Sequence, residues 1–193
     1  MKIVMATNNE NKLREAREIL SPLGIEVISQ REAGIDIEPE ENGATFAENA
    51  LIKARAVYEL AGCPVIADDS GLCVDALGGA PGVFSTRWAP KEIQCERLLE
   101  KMAGVPDEAR TAYFRCVVAY VDENGSGTVT GDCHGTISHE KRGTNGFGYD
   151  PVFLCGERTL AEMTSDEKNA LSHRGAALRQ LSDVFQERYG ASC

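Results

Sequence analysis

The chain has 193 residues, 42% hydrophobic and 26% charged, which suits one globular domain over residues 1–193 with a sizeable core. Its net charge of −10 argues against general binding of nucleic acid or of an anionic membrane, since both need basic surface; a small anion would need a local cluster of Lys, Arg and bound metal. The seven cysteines (63, 73, 95, 116, 133, 155 and 193) are scattered without C-x-x-C pairing, the opening MKIVMATNN turns polar too soon for a signal peptide, and no apolar run approaches membrane length, so a cytoplasmic protein with reduced thiols is expected.

Lys2–Ala6 reads as a short buried strand. The loop Thr7-Asn8-Asn9-Glu10-Asn11-Lys12 follows without a glycine, and from Lys12 the positions Leu13, Ala16, Ile19, Leu20 and Leu23 recur at helical spacing up to Gly24. Ile25–Ser29 is a second strand, residues 30–43 form an acid-rich loop, and Thr45-Phe-Ala-Glu48 is a capping box opening a helix that runs to Gly62. Pro64–Ala67 is a third strand, expected to end at once in Asp68-Asp69-Ser70-Gly71. Cys95, Leu98, Leu99 and Met102 mark another helix, stopping at Gly104. Thr111–Asp122 alternates as a long strand, and Asn124-Gly125 turns it into Thr128–His139. The stretch GTNGFGYDP leads to a strand near Val152–Leu154, and the C-terminal third reads as helical. This order predicts an α/β fold with a mixed sheet.

Several groups along this path carry chemistry. A strand–loop–helix junction points backbone N–H groups at anions, so Thr7–Lys12 is either a phosphate grip or a helix cap. Asp68-Asp69 sits after a buried strand, where open α/β sheets place ligands; taken alone, Asp-Ser-Gly favours an Asx-type turn. The acid-rich loop, with Glu38, Glu40 and Glu41, together with Glu48, is either a solvated face or a source of oxygen ligands that join an aspartate on Mg²⁺. Lys53 lies at the edge of a helical apolar stripe, from which it either snorkels or reaches a phosphate. Residues 143–151 lack the glycine order of a dinucleotide or P-loop motif; they form either a flexible connection or a loop presenting Phe147 and Tyr149 for stacking on a base. In EKNALSHRG, His173 and Arg174 open a helix after Ser172, an unfavourable place for a cation unless an anion or a keto oxygen lies near.

Together these stretches resemble the inosine/xanthosine triphosphate pyrophosphatases, Ham1-like enzymes that hydrolyse non-standard purine nucleoside triphosphates. The resemblance covers nearly the whole chain and rests on T-x-N-x-x-K at residues 7–12, ENALIKAR around Lys53, ADDSGL at 67–72, LGGAPGVFSTRWA at 77–89, GFGYDPVF at 146–153 and EKNALSHRG at 167–175. It implies a single domain with an elongated mixed sheet flanked by helices and two lobes around a nucleotide cleft. It further implies hydrolysis of ITP, dITP or XTP to the monophosphate and pyrophosphate, Mg²⁺ as cofactor, a small-molecule substrate rather than nucleic acid or membrane, and a homodimer. Asp69 would be the proton acceptor, with Asp68 in reserve, and Mg²⁺ would lie on Asp69 with Glu40 or Glu41. Thr7, Asn8, Asn9, Glu10, Asn11, Lys12, Lys53 and Ser70 would hold phosphates, and Phe147, Gly148, Tyr149, Asp150, Lys168, His173 and Arg174 the nucleoside. Lys168 and Arg174 only donate hydrogen bonds, so they would suit a 6-keto purine and leave adenine's 6-amino group unmatched. Val83, Phe84 and Trp88 offer a candidate dimer surface.

Overall fold

A computed structural model describes residues 1–190; Cys193, counted above among the thiols, lies outside the described residues. Among the described residues seven strands and five α-helices are joined by loops and short 3₁₀ turns. In chain order they are β1 (Lys2–Met5), α1 (Glu10–Leu20), β2 (Glu26–Ser29), α2 (Phe46–Ala61), β3 (Val65–Val74), α3 (Gln94–Lys101), β4 (Thr111–Asp122), β5 (Gly125–Ile137), β6 (Phe153–Cys155), β7 (Arg158–Thr159), α4 (Ser165–Leu171) and α5 (His173–Tyr189). The strand order is β2-β1-β3-β4-β5-β6-β7. β1 is parallel to β2 and β3, whereas β6 is antiparallel to β5 and β7, so the sheet is mixed as the sequence predicts. Among the described residues no helix is long and apolar enough to cross a membrane.

The chain divides into two compact units, and β3, β4 and β5 each contribute to both. The first comprises residues 1–69, 116–131 and the segment from 174 onward. Its core joins Ile3 and Met5 of β1, Leu13, Ala16 and Leu20 of α1, Ile66 of β3 and Leu178, Leu181 and Phe185 of α5. The second comprises residues 70–115 and 132–173, with Leu72, Leu98, Met102, Phe114, Ile137 and Phe153 at its centre. Here Phe114 packs on both Phe153 and the ring of His173, the latter stacked at 4.7 Å.

Local signals placed most boundaries well. The Thr45/Glu48 capping box forms in both directions, and Gly62 closes α2 in the left-handed conformation. Three expectations are corrected. Asp68-Asp69-Ser70-Gly71 is not a turn: β3 runs straight through it for ten residues, with partners from distant segments engaging the two carboxylates. The β4–β5 connection is Glu123-Asn124, with Gly125 already in the strand. β6 lies where a strand near Val152–Leu154 is expected, but the stretch after it is not purely helical, since β7 and a 3₁₀ turn at Leu160–Glu162 precede α4.

Candidate functional site

In the first unit the loop after β1 turns into α1 under its own side chains. Thr7 Oγ1 accepts from the Asn9 amide at 3.1 Å, and Asn9 Oδ1 accepts from the amides of Asn11 and Lys12 at 3.0 and 3.3 Å. Asn9 is therefore the N-cap, with Glu10 in the first turn, and it satisfies donors that an anion would otherwise meet. Asn8 donates instead to Glu38. The cap fixes the first turn of α1 and sends Lys12 inward, where its Nζ lies 3.1 Å from Asp68 Oδ2.

Because side chains alternate along a strand, the adjacent aspartates of β3 meet different partners. Asp68 is 1% exposed, and its Oδ2 also accepts from Arg174 Nε at 3.1 Å and from the Cys116 thiol at 3.8 Å. Arg174 Nη1 donates to Glu15 of α1, which is itself buried. Among the described residues Asp68 Oδ1 has no hydrogen-bond partner. Asp69 accepts from Asn49 Nδ2 at 3.2 Å and lies 3.7 Å from Lys53 Nζ. Lys53 also meets Glu41 Oε1 at 3.1 Å and donates to the Asp68 carbonyl at 2.8 Å. Of the two loop glutamates it is thus Glu41 that joins the cluster, while Glu40 is exposed.

These surroundings pull the two acidities apart. Burial pushes Asp68 up, but the charges of Lys12, Arg174 and Lys53 outweigh it and hold the carboxyl well below the usual range. For Asp69 burial wins: with Glu41 adding its negative charge, it overcomes Lys53, Lys12 and the Asn49 hydrogen bond and raises the carboxyl above its ordinary pKa. Asp68 is therefore a permanent anion and Asp69 the better proton acceptor, a separation typical of acid–base pairs. Arg174, whose own tendency to lose charge on burial is reversed by Asp68 and Glu15, stays protonated. The anion its position demands is supplied from within the protein.

A divalent cation fits the Lys53 side of this cluster. Glu41 and Asp69 converge on one ammonium, so their oxygens face a common point, and Lys53 and Lys12 do not outweigh the burial of Asp69 and the charge of Glu41. No group of three or more His, Cys, Asp or Glu ligands is assembled among the described residues.

In the second unit residues 143–151 are tied down rather than flexible. The amides of Thr144 and Asn145 bond the Ala161 carbonyl, and Asn145 Nδ2 reaches Met163 O at 2.9 Å. Asp150 Oδ2 accepts both the Phe147 amide at 2.8 Å and Lys168 Nζ at 2.7 Å. A Cβ at Gly146 would lie 2.1 Å from that oxygen, and its φ is +72°, so this position requires glycine. Lys168 Nζ sits 4.6 Å from the centre of the half-buried Phe147 ring. The Cys95 thiol donates to Gly148 O at 3.3 Å, and burial raises that thiol to about 11. Tyr149 is not a presented ring: it is 3% exposed, packs in the core and donates its hydroxyl to Ser85 O. His173 is likewise buried, and Ser70 is half-buried within β3.

The residues missed from sequence are Glu15, Asn49 and Cys116. Asn49 stands four residues before Lys53, a spacing that turns both to one face of α2, and this was a readable sign. Glu15 lies three residues after Lys12 beside apolar Ala16, a weaker one.

The model of the Ham1 family matches residues 3–184. A dITP/XTP pyrophosphatase of Pectobacterium atrosepticum is 46% identical over 194 residues, covering 96% of this chain and 98% of its own. One of Bacillus licheniformis is 47% identical, with 96% and 98% covered. Among solved structures, a HAM1 protein from Coxiella burnetii matches with a TM-score of 0.85 at 44% identity, over 97% of this chain and 99% of that one. A nucleoside-triphosphatase, dITP/XTP pyrophosphatase from Mycobacterium abscessus gives 0.73 at 43% identity, with 94% and 98% covered.

Proposed function

This chain belongs to the Ham1 family, and we propose that it hydrolyses non-standard purine nucleoside triphosphates such as ITP, dITP and XTP to the monophosphate and pyrophosphate. The observation that carries the reading is the divided pair on β3: a fixed anion at Asp68 that aims Lys12, beside a basic carboxylate at Asp69 that shares Lys53. Attack on the α-phosphorus needs neutralised phosphates, an oriented water and a group to take its proton. Lys12 and Lys53 neutralise the phosphates, and Asp69, steadied by Asn49, accepts the proton as the water attacks. Pyrophosphate leaves, so the water oxygen ends on the monophosphate. Mg²⁺, held by Asp69 and Glu41, would add charge neutralisation at the departing phosphates.

Phe147 supplies a stacking face for the base, and Lys168, fixed by Asp150, supplies a donor that a 6-keto purine accepts. Arg174 acts as the brace of Asp68 rather than as a second base donor, since Asp68 and Glu15 engage its guanidinium. The protein works in the cytoplasm, in keeping with six free thiols among the described residues. It pairs as a homodimer through the loop of residues 77–89, where Phe84 is 59% exposed, whereas Trp88 packs partly against the core. The test is to supply Mg²⁺ with ITP, XTP, dITP, GTP, ATP or UTP in turn and to measure pyrophosphate and orthophosphate separately. ITP should give IMP and pyrophosphate with little orthophosphate; IDP as first product would overturn the reading.

A further inference from the structure

The two lysines of the first unit differ in how firmly their negative partners are held. Lys12 faces Asp68, which is 1% exposed and gripped by Arg174, so its partner has no room to swing away. Lys53 faces Glu41, whose side chain is 34% exposed on the loop between β2 and α2. Its other contacts are the Asp68 carbonyl oxygen, a neutral acceptor, and Asp69 at the longer distance of 3.7 Å. Lys12, Lys53 and Arg174 bring three positive charges against four negative ones from Glu15, Glu41, Asp68 and Asp69. The cluster as it stands therefore holds no surplus charge to attract a bare polyanion.

We propose that Glu41 is an exchangeable counter-ion for Lys53 that makes polyphosphate binding conditional on a divalent cation. Without metal, Glu41 occupies the ammonium that a phosphate needs, and its own charge repels the incoming anion. When Glu41 and Asp69 turn to a cation, Lys53 is released and the site gains net positive charge. Glu41 thereby selects cation-complexed polyphosphate and rejects the free form. Lys12 is the constant part of the site and Lys53 the conditional part. The inference rests on reading this cluster as a polyphosphate site, but not on which base is recognised nor on which bond is cleaved.

The test is calorimetric titration of the full chain with inorganic triphosphate in EDTA, a probe that carries no base and is not turned over without metal. Glu41→Gln keeps the shape of a side chain on an exposed loop and removes its charge. It should bind metal-free triphosphate roughly five- to tenfold more tightly than wild type, the scale of a partly exposed ion pair in competition. In a Lys53→Met background the same substitution should change Kd by less than about twofold, because no ammonium is left to release. With excess Mg²⁺ the advantage of Glu41→Gln should vanish. Glu41→Gln with no gain in EDTA would overturn the proposal, and so would an equal gain without Lys53, which would reduce the effect to general charge relief. A protein that hydrolyses ITP yet shows no gain loses only the gate; one that shows the gain yet yields IDP loses only the assigned reaction.

Discussion

Replacing Arg174 by Met decides whether this residue braces Asp68 or meets the substrate. Arg174 is 2% exposed and donates to two carboxylates, Asp68 and Glu15, whose side chains are 1% and 5% exposed. Met keeps the apolar stem of the side chain and removes the guanidinium, so what is lost is the charge and its hydrogen-bond donors. Removing one member of a buried ionic group leaves the others uncompensated and costs about 3–5 kcal/mol, against a total stability of about 5–15 kcal/mol for a domain. The pH dependence gives a second signature. In the wild type the Asp68 carboxyl is held below its unfolded value, so its contribution is fully present above an unfolded value of about 3.9 and is lost as pH falls from there through the folded value. Between about pH 5 and pH 8 it therefore adds no slope. In the variant Asp68 loses one of the three cations that hold it down, so its folded value rises towards the unfolded one. Part of its contribution is then missing at every pH above about 3.9, so the deficit should be level between about pH 5 and pH 8 and should shrink as pH falls below about 4. Urea denaturation of both proteins at about pH 3, 5 and 8 measures this. A variant of near-normal stability that loses only its preference for ITP over ATP would refute the brace and restore Arg174 as a base contact.

Two further outcomes follow from the same geometry. Asp69→Asn should lower turnover of ITP by about 10² or more, through loss of the base and of a metal ligand; near-normal turnover would move the proton-accepting role elsewhere. Phe147→Ala should weaken ITP and ATP alike, by roughly 1–3 kcal/mol each, because stacking is tolerant of the base, whereas Lys168→Met should reduce kcat/KM for ITP far more than for ATP.

Local chemistry made most of the fold legible. The Thr45/Glu48 box, the glycines at 24 and 62 and the alternation of Thr111–Asp122 each carry their structural meaning within a few residues, so a reader needs no knowledge of the rest of the chain. β3 is the counterexample. Asp-Asp-Ser-Gly has the composition of a turn, and it stays extended because Lys12 and Arg174, which are 56 or more residues away, and Lys53 and Asn49 of α2 satisfy its carboxylates. Tyr149 misled in the opposite sense. Glycine neighbours suggest a mobile, presented ring, but a hydrogen bond to Ser85 O, 64 residues away, draws it into the core.

The same distinction explains which parts of the site were readable. Residue type suffices to nominate Lys12, Lys53 and the two aspartates, because charge in or beside an apolar pattern needs a reason. It does not suffice to assign roles, since a carboxylate's role is set by what faces it. Strand alternation turns Asp68 towards Lys12 and Arg174 and Asp69 towards Asn49, so two identical side chains one residue apart are driven in opposite directions. Arg174 shows the limit of an argument from local electrostatics. A cation at the start of α5 does require an anion nearby, and the sequence raised that requirement correctly. The anions that answer it are Glu15, 159 residues earlier, and Asp68, 106 residues earlier, and no local pattern distinguishes them from a bound ligand. A helix-terminal arginine therefore marks a place where negative charge must be found, and only the fold decides whether the protein or the substrate provides it.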